Sequence, residues 1–366
     1  MRSRTSPRRG AVDVNDLTGL VGVDVPIVLG PFGGMSSVAL TARVSGLGGL
    51  GSFGLYGYSA DRIRATVGAL REATPRPFAV NLWLGVTEPE PTAEEWERHV
   101  EALRPLLEEM GVTPPPMPER FLPTFEEQWE AVLDTAPHVV SFVFGVPSVA
   151  AVEEAHRRGI VVIGTATTVD EAVALHDGGV DAVVASGFES AGHRGSFLRP
   201  VPESLVGTFA LVPQMVDAVP IPVIAAGAVA DRRGVAAAFA LGAHGVQAGT
   251  AFLATQESAV APGHRRAIAG TPAHGTVLTR AMSGRFARGV PNRAVRSIEE
   301  RDAIAPFPIQ NWLTAHFRAE AARRNEPELL SLWMGQAAAL ARHEHAHEVF
   351  AELVAGLPPE RVSPSE

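Results

Sequence analysis

Cysteine is absent from all 366 residues. Its absence excludes a disulfide framework, a thiol nucleophile and a thiolate metal site. No apolar run approaches the roughly 20 residues that a membrane-spanning helix needs. Basic residues are in the minority, 31 against 40 acidic ones for a formal net charge of −9, and no basic stripe is interleaved with aromatics. A nucleic-acid surface is therefore not expected. A dinucleotide fingerprint is missing too, since the first apolar run leads into PFGGMSS and not GxGxxG. The three histidines of Arg342–His347 recur at every second position, which does not bring all three to one helix face, and no metal site is expected.

What is present suits one large α/β domain with additions, or two domains: 46% hydrophobic residues, 36 Gly and 29 Pro. Residues 1–19 begin with Arg2, Arg4, Arg8 and Arg9 and no apolar stretch behind them, so they read as a solvated, disordered tail and not a secretory signal. The cytoplasm is the expected compartment.

Eight short apolar runs then alternate with helical segments. They are Pro26–Gly30, Gly48–Gly54, Pro77–Leu84, Val139–Phe144, Ile160–Ile163, Val180–Ala185, Ile221–Ala226 and Gly245–Gly249. Helix signals lie between them: Ser148 as a cap, Thr168 with Glu171 as a capping box, Asp231 as a cap, and Gly159 and Gly242 as stops. Strands joined by crossing helices pair in parallel, and eight such units close a (β/α)₈ TIM barrel.

The barrel is expected over residues 20–261, with a charged, helical and proline-rich excursion at 88–124. After Phe252 the alternation stops. His264–Thr276 reads as loop, Thr279–Asn292 as polar and glycine-punctuated, and Leu329–Arg342 as amphipathic. Residues 262–324 are expected to form a smaller, mainly helical lid, and 325–366 C-terminal helices returning to the barrel.

Barrel active sites lie at the carboxyl ends of the strands. Those ends carry mostly glycine and small polar residues, among them Gly33, Gly34 and Met35, then Asn81, Ser186, Gly187 and Gly192. Gly227, Ala228, Gly249 and Thr250 follow the last two strands, the pair that often binds phosphate in this fold; taken singly each glycine reads more readily as a tight turn, and taken together they read as a phosphate site. Asn81 interrupts an apolar strand and must find partners, either local backbone or a flat heterocycle over the barrel mouth. His193, between Gly192 and Arg194–Gly195, is the one strong general acid or base. It reads as a catalytic base or a phosphate or ring contact more readily than as a structural histidine. Glu189 is the nearby carboxylate, either orienting the imidazole or solvated.

PFGGM, the asparagine of FAVNLW, GFESAGHRG, AAGAVADRRG, GVQAGT and SGRFARGVPNR occur in order over Pro26–Arg293. Together they resemble the nitronate monooxygenase family, formerly 2-nitropropane dioxygenases, and LWMGQAAALAR extends the similarity. The resemblance implies a barrel that binds FMN non-covalently beneath a helical lid, with His193 as catalytic base. It implies Gly33, Gly34, Met35 and Asn81 around the flavin, Ser186, Gly187 and Gly192 entering its site, and Gly227, Ala228, Gly249 and Thr250 at its phosphate. The implied reaction oxidises alkyl nitronates with O₂ to a carbonyl compound and nitrite. Reduction of a quinone or enoyl thioester by NAD(P)H on the same flavin is the alternative. A flavin-free isomerase or lyase acting on a phosphorylated metabolite is a more distant one. Ser186 stands where relatives commonly carry Gln, Phe286 where proline is usual, and AAGAV replaces the usual AGGI.

Overall fold

The computed structural model describes residues 17–301 and 303–361. Eleven strands occur among them: β1 (Ile27–Leu29), β2 (Gly51–Gly54), β3 (Phe78–Trp83), β4 (Val139–Val143), β5 (Val161–Ala166), β6 (Ala182–Ser186), β7 (Gly192–His193), β8 (Val223–Ala226), β9 (Gly245–Ala248), β10 (Val277–Thr279) and β11 (Ala287–Gly289). Eight form one parallel sheet in the order β1-β9-β8-β6-β5-β4-β3-β2. A parallel bridge between Val28 and Leu50 joins its two edges, with Leu29 N–H donating to the Leu50 carbonyl at 2.9 Å. The sheet thereby becomes a barrel.

Strand side chains alternate between two apolar environments. Ile27, Phe78, Val80, Leu82, Val183 and Val246 point outward into one core with the surrounding helices. Val28, Leu50, Ala79, Val139, Ile163, Ala182, Val184 and Ile224 point inward and fill the barrel. Leu17 and Val21, from the helix Leu17–Val21, close off this inner cluster. The tail expected over 1–19 lies outside the described residues as far as position 16; residues 17–19 are helical, and Leu17 is buried because it plugs the barrel.

Helix caps follow the sequence signals. Ser37, Ser59, Thr124, Ser148, Thr168 and Asp231 each accept a first-turn N–H, a contribution of about 1 kcal/mol apiece. Thr168–Glu171 is only half a capping box. The Glu171 carboxylate turns instead to Thr167 and to the backbone N–H groups of Phe197 and Leu198. The helix Ala346–Val354 packs against Val38–Gly46, Arg232–Ala240 and β1.

A second sheet, β10-β11-β7, is antiparallel and pairs Ala287 with His193 and Arg288 with Gly192. The region after the barrel is thus mostly helical but contributes two strands, too short to leave a period-2 pattern in a glycine-broken segment. The stretch read as loop from His264 is helical over Pro262–Gly270, with buried His264 donating through Nε2–H to the Trp333 carbonyl. Its few apolar residues are why the helical period is faint. Conversely, Leu329–Arg342 forms no α-helix, only the 3₁₀ turns Pro327–Leu329 and Ala338–Leu340. Its backbone is spent on tertiary partners: Gly335 N–H on Thr250 Oγ1, Gln336 N–H on the Glu189 carbonyl, and a bridge from Trp333 to Gly289.

The excursion contributes the helix Ala93–Glu109, which packs on Ile309–Arg324. Trp96 and Phe121 enclose Trp312 with ring centroids 5.7 and 5.9 Å away, and Arg293 pairs with Glu109.

Candidate active site

The carboxyl ends of the barrel strands open into a cavity of about 490 Å³. Inward parity decides what lines it. Asn81 and Trp83 continue the inward row of Ala79, Thr165 that of Ile163, Ser186 that of Val184, and Ala226 that of Ile224. The loops add Gly33, Gly34, Met35, Gly192, His193, Gly227, Ala228, Gly249 and Thr250. Every site residue expected from the sequence therefore lines this cavity except Gly187. That glycine lies beside it, its N–H on the Ala226 carbonyl and its carbonyl held by Arg194, and a Cβ there would fall 1.9 Å from Thr208 Oγ1.

Part of the backbone strain falls at the same place. Of the four non-glycine residues with positive φ among the described residues, Phe144 (71°) and Ala228 (58°) are on the cavity wall, each at about 1–2 kcal/mol above a right-handed conformation. Gly34 and Gly192 have φ of 73° and 69°, and a Cβ on either would meet nothing within 4 Å. Glycine there keeps the wall open. Asn81 donates through Nδ2 to Ser141 Oγ at 2.9 Å and to its carbonyl, which leaves Oδ1 as an acceptor at the wall. Ser186, the departure at the loop entrance, bonds locally to Ser190 at 3.3 Å.

The loop after β6 is braced from below. Arg194 is fully buried and gives its Nη groups to the carbonyls of Gly187 and Ser186 at 2.6 and 3.1 Å. Burial lowers its pKa to about 10, so the guanidinium remains charged at neutral pH. Glu189 does not orient the histidine, because its carboxylate is occupied by the N–H and hydroxyl of Thr208.

His193 is half-buried among aromatic rings: Trp83 at 4.9 Å, Trp333 at 5.7 Å, Phe144 at 6.3 Å and Phe307 at 6.5 Å. Its Nε2 lies 2.8 Å from Ser283 Oγ. Desolvation by this apolar shell, with Arg285 and Arg318 adding repulsion, pushes its pKa from 6.5 down to about 3. The imidazole is neutral at physiological pH.

Two cations that the sequence reading missed stand near His193, Arg318 on the cavity wall and Arg285 behind it. Arg318, from Ile309–Arg324, reaches the cavity and donates to Ser331 and Asn311, while its buried Nε has no partner. Arg285 lies 4.5 Å from the ring centroids of both Phe144 and Phe307, with Nη2 on the Gly85 carbonyl and Nη1 buried without a partner. Neither forms an ion pair among the described residues, and burial lowers the pKa of both, Arg318 to about 10. Tyr56 completes the wall. Its hydroxyl accepts from Asn311 at 3.0 Å, and burial raises its pKa to about 12, so it stays a donor. Trp83 was readable as the next inward position after Asn81. For Arg318 and Tyr56 no local pattern marks the cavity.

The sequence model of nitronate monooxygenase matches residues 15–356. The chain belongs to the nitronate monooxygenase family. A probable nitronate monooxygenase of Staphylococcus saprophyticus is 38% identical over 342 residues, covering 92% of this chain and 96% of the relative. One from Staphylococcus aureus is 37% identical over 346 residues, covering 93% and 96%. Among solved structures, nitroalkane oxidase from Streptomyces ansochromogenes superposes with a TM-score of 0.85 at 34% identity, covering 95% of this chain and 99% of that one. FabK from Thermotoga maritima gives 0.73 at 29% identity, over 94% and 95%. As a nitronate monooxygenase family member the chain is a flavin-dependent oxidoreductase acting on small molecules. No helix among the described residues is long and apolar enough to cross a membrane.

Proposed function

We propose that this nitronate monooxygenase family member binds FMN and oxidises alkyl nitronates with O₂ to a carbonyl compound and nitrite, with His193 as the base that admits neutral nitroalkanes. One observation carries the reading. The His193 imidazole faces a cavity walled by aromatic rings, with the Arg318 guanidinium on the same wall and that of Arg285 behind it against Phe144, both without carboxylate partners among the described residues. Such a pocket favours an anion and carries a base beside it.

The cavity suits a flavin mononucleotide. Its volume is within the usual range for small-ligand sites. Gly33, Gly34, Met35 and Asn81 would border the ring, with Ser186 and Gly192 at its edge. Gly227, Ala228, Gly249 and Thr250 would hold the phosphate. Bound there, FMN would accept electrons from the nitronate and react with O₂. The chain supplies the rest. Arg318 holds the nitronate oxygens, the charge of Arg285 behind the Phe144 ring adds to the attraction, the Tyr56 hydroxyl donates to the same anion, and the rings exclude water. His193 removes the α-proton of a neutral nitroalkane, and the adjacent cations stabilise the anion that forms.

The test begins with the absorbance spectrum of purified protein and the nucleotide released on denaturation. Yellow protein releasing FMN, bleached without air by a nitronate, is the expected result. Bleaching by NADPH alone would favour the reductase of a quinone or enoyl thioester. Colourless protein would favour a flavin-free isomerase or lyase. His193→Asn should retain the flavin yet lose roughly 10²–10⁴-fold in turnover of neutral nitroalkanes. Wild-type rates in that variant would remove His193 from the mechanism.

A further inference from the structure

We infer that Ser283 is a positioning residue that fixes His193 in the Nε2–H tautomer, so that Nδ1 is the nitrogen presented to substrate; this rests on the proposed role of His193 as base.

Ser283 Oγ has three neighbours: His193 Nε2 at 2.8 Å, the Arg285 carbonyl at 3.0 Å and the Arg285 N–H at 3.3 Å. A hydroxyl offers one proton and two lone pairs. If its proton goes to the Arg285 carbonyl, both lone pairs accept, one from Arg285 N–H and one from His193 Nε2–H. Every group is then satisfied, and Nδ1 keeps a free lone pair. If the hydroxyl donates to Nε2 instead, the Arg285 carbonyl loses that donor. The proton displaced to Nδ1 then has no protein acceptor, because Nδ1 makes no hydrogen bond among the described residues. Yet Nδ1 is not sealed in the core, for it is absent from the buried atoms that lack partners, and His193 lines the cavity. The first arrangement keeps one more hydrogen bond and points a base at open space.

The geometry is held from both sides. On the histidine side, β7 pairs His193 with Ala287 of β11. On the serine side, Ser283 lies in the connection between β10 and β11, where Ser283 and Gly284 N–H both reach the Arg280 carbonyl. Gly284 has φ of 85°, and a Cβ there would fall 2.5 Å from Phe307 N. The turn therefore has no freedom to swing Ser283 away. Charge also matters: no carboxylate among the described residues contacts His193, and the ionised groups that act on it are the cations Arg285 and Arg318. The imidazole works uncharged, and for an uncharged imidazole the tautomer decides which nitrogen is the base.

The test uses holoenzyme labelled with ¹⁵N-histidine, the His193 signals being those lost in His193→Asn. Wild type should show a protonated Nε2 and an unprotonated Nδ1 on His193. Ser283→Ala should show a mixture, and Ser283→Thr the wild-type pattern. In kinetics, Ser283→Ala should lower kcat/KM for neutral nitroethane about tenfold and leave preformed ethylnitronate within about twofold, as expected for loss of one hydrogen bond to the base alone. Ser283→Thr should restore nitroethane turnover. An Nδ1–H tautomer in wild type would overturn the inference, as would equal losses on both substrates in Ser283→Ala. If wild type turns over neither substrate, the proposed function fails, while the tautomer measurement still decides what Ser283 does.

Discussion

A guanidinium buried without a carboxylate is a liability to stability and an asset to recognition. Arg318 shows both. Its Nε is buried without a partner, and burial draws its pKa down to about 10. Replacing such a charge with a hydrophobic group of similar length is often neutral or stabilising, whereas a charge-assisted hydrogen bond to substrate contributes about 1.5–3 kcal/mol. Arg318→Met should therefore raise KM for a nitronate about 10- to 100-fold, with kcat much less affected and thermal stability not reduced. Steady-state kinetics beside a melting curve checks this, and an unchanged KM would remove Arg318 from substrate binding. At this scale the sequence was informative where chemistry is local. His193 stood out because glycines flank it, and Asn81 because it breaks an apolar strand. Arg318 and Ser283 were hidden because their significance comes from the cavity and the imidazole they reach, 125 and 90 positions away from His193 in the numbering of the chain.

At the scale of elements, what was legible is what repeats. Eight apolar runs with caps and glycine stops predicted the barrel, and the strands occur in those places. The failures came where tertiary partners override a local pattern. Leu329–Arg342 has a helical distribution of apolar residues, but Gly335 must approach the Glu189 carbonyl so closely that a Cβ would fall 2.7 Å from it. A helix cannot supply that contact. Glu171 gave up its part in a capping box for a larger one. Its fully buried carboxylate accepts from Thr167 N–H and hydroxyl and from the N–H groups of Phe197 and Leu198, tying the end of β5 to the loop that carries His193. Glu171→Gln would turn an amide NH₂ toward N–H donors, leaving buried donors unmatched at about 1–3 kcal/mol. The expected outcome is that much loss in urea unfolding, with faster hydrogen exchange at Phe197 and Leu198. Unchanged exchange there would mean the loop is held by other contacts.

Across the whole molecule, two desolvated histidines tie stability to pH. The cavity histidine His193 and the structural His264 are both held neutral by burial, at about 3 and about 4 against 6.5 in the unfolded chain. Between these values the unfolded chain binds more protons than the folded one, so stability rises with pH through that window and falls on acidification. The contribution is complete above about pH 6.5 and is lost progressively as pH drops towards 4. His264 is the cleaner case: it is 3% exposed, lies away from the cavity lining, and its Nε2 meets the Trp333 carbonyl at 2.9 Å. From pH 7 to pH 5 it should remove about 2 kcal/mol. His264→Gln keeps a donor for that carbonyl but does not titrate. The variant should be less stable than wild type at pH 7 and close that gap at pH 5, as read from urea midpoints at the two values. Because His264 holds the segment that brings Trp333 to His193, acid should also loosen the aromatic wall before the barrel unfolds. A quench of the Trp333 environment that precedes loss of helical signal on acidification is the expected order. Coincident transitions, or parallel pH slopes for the two proteins, would refute the assignment.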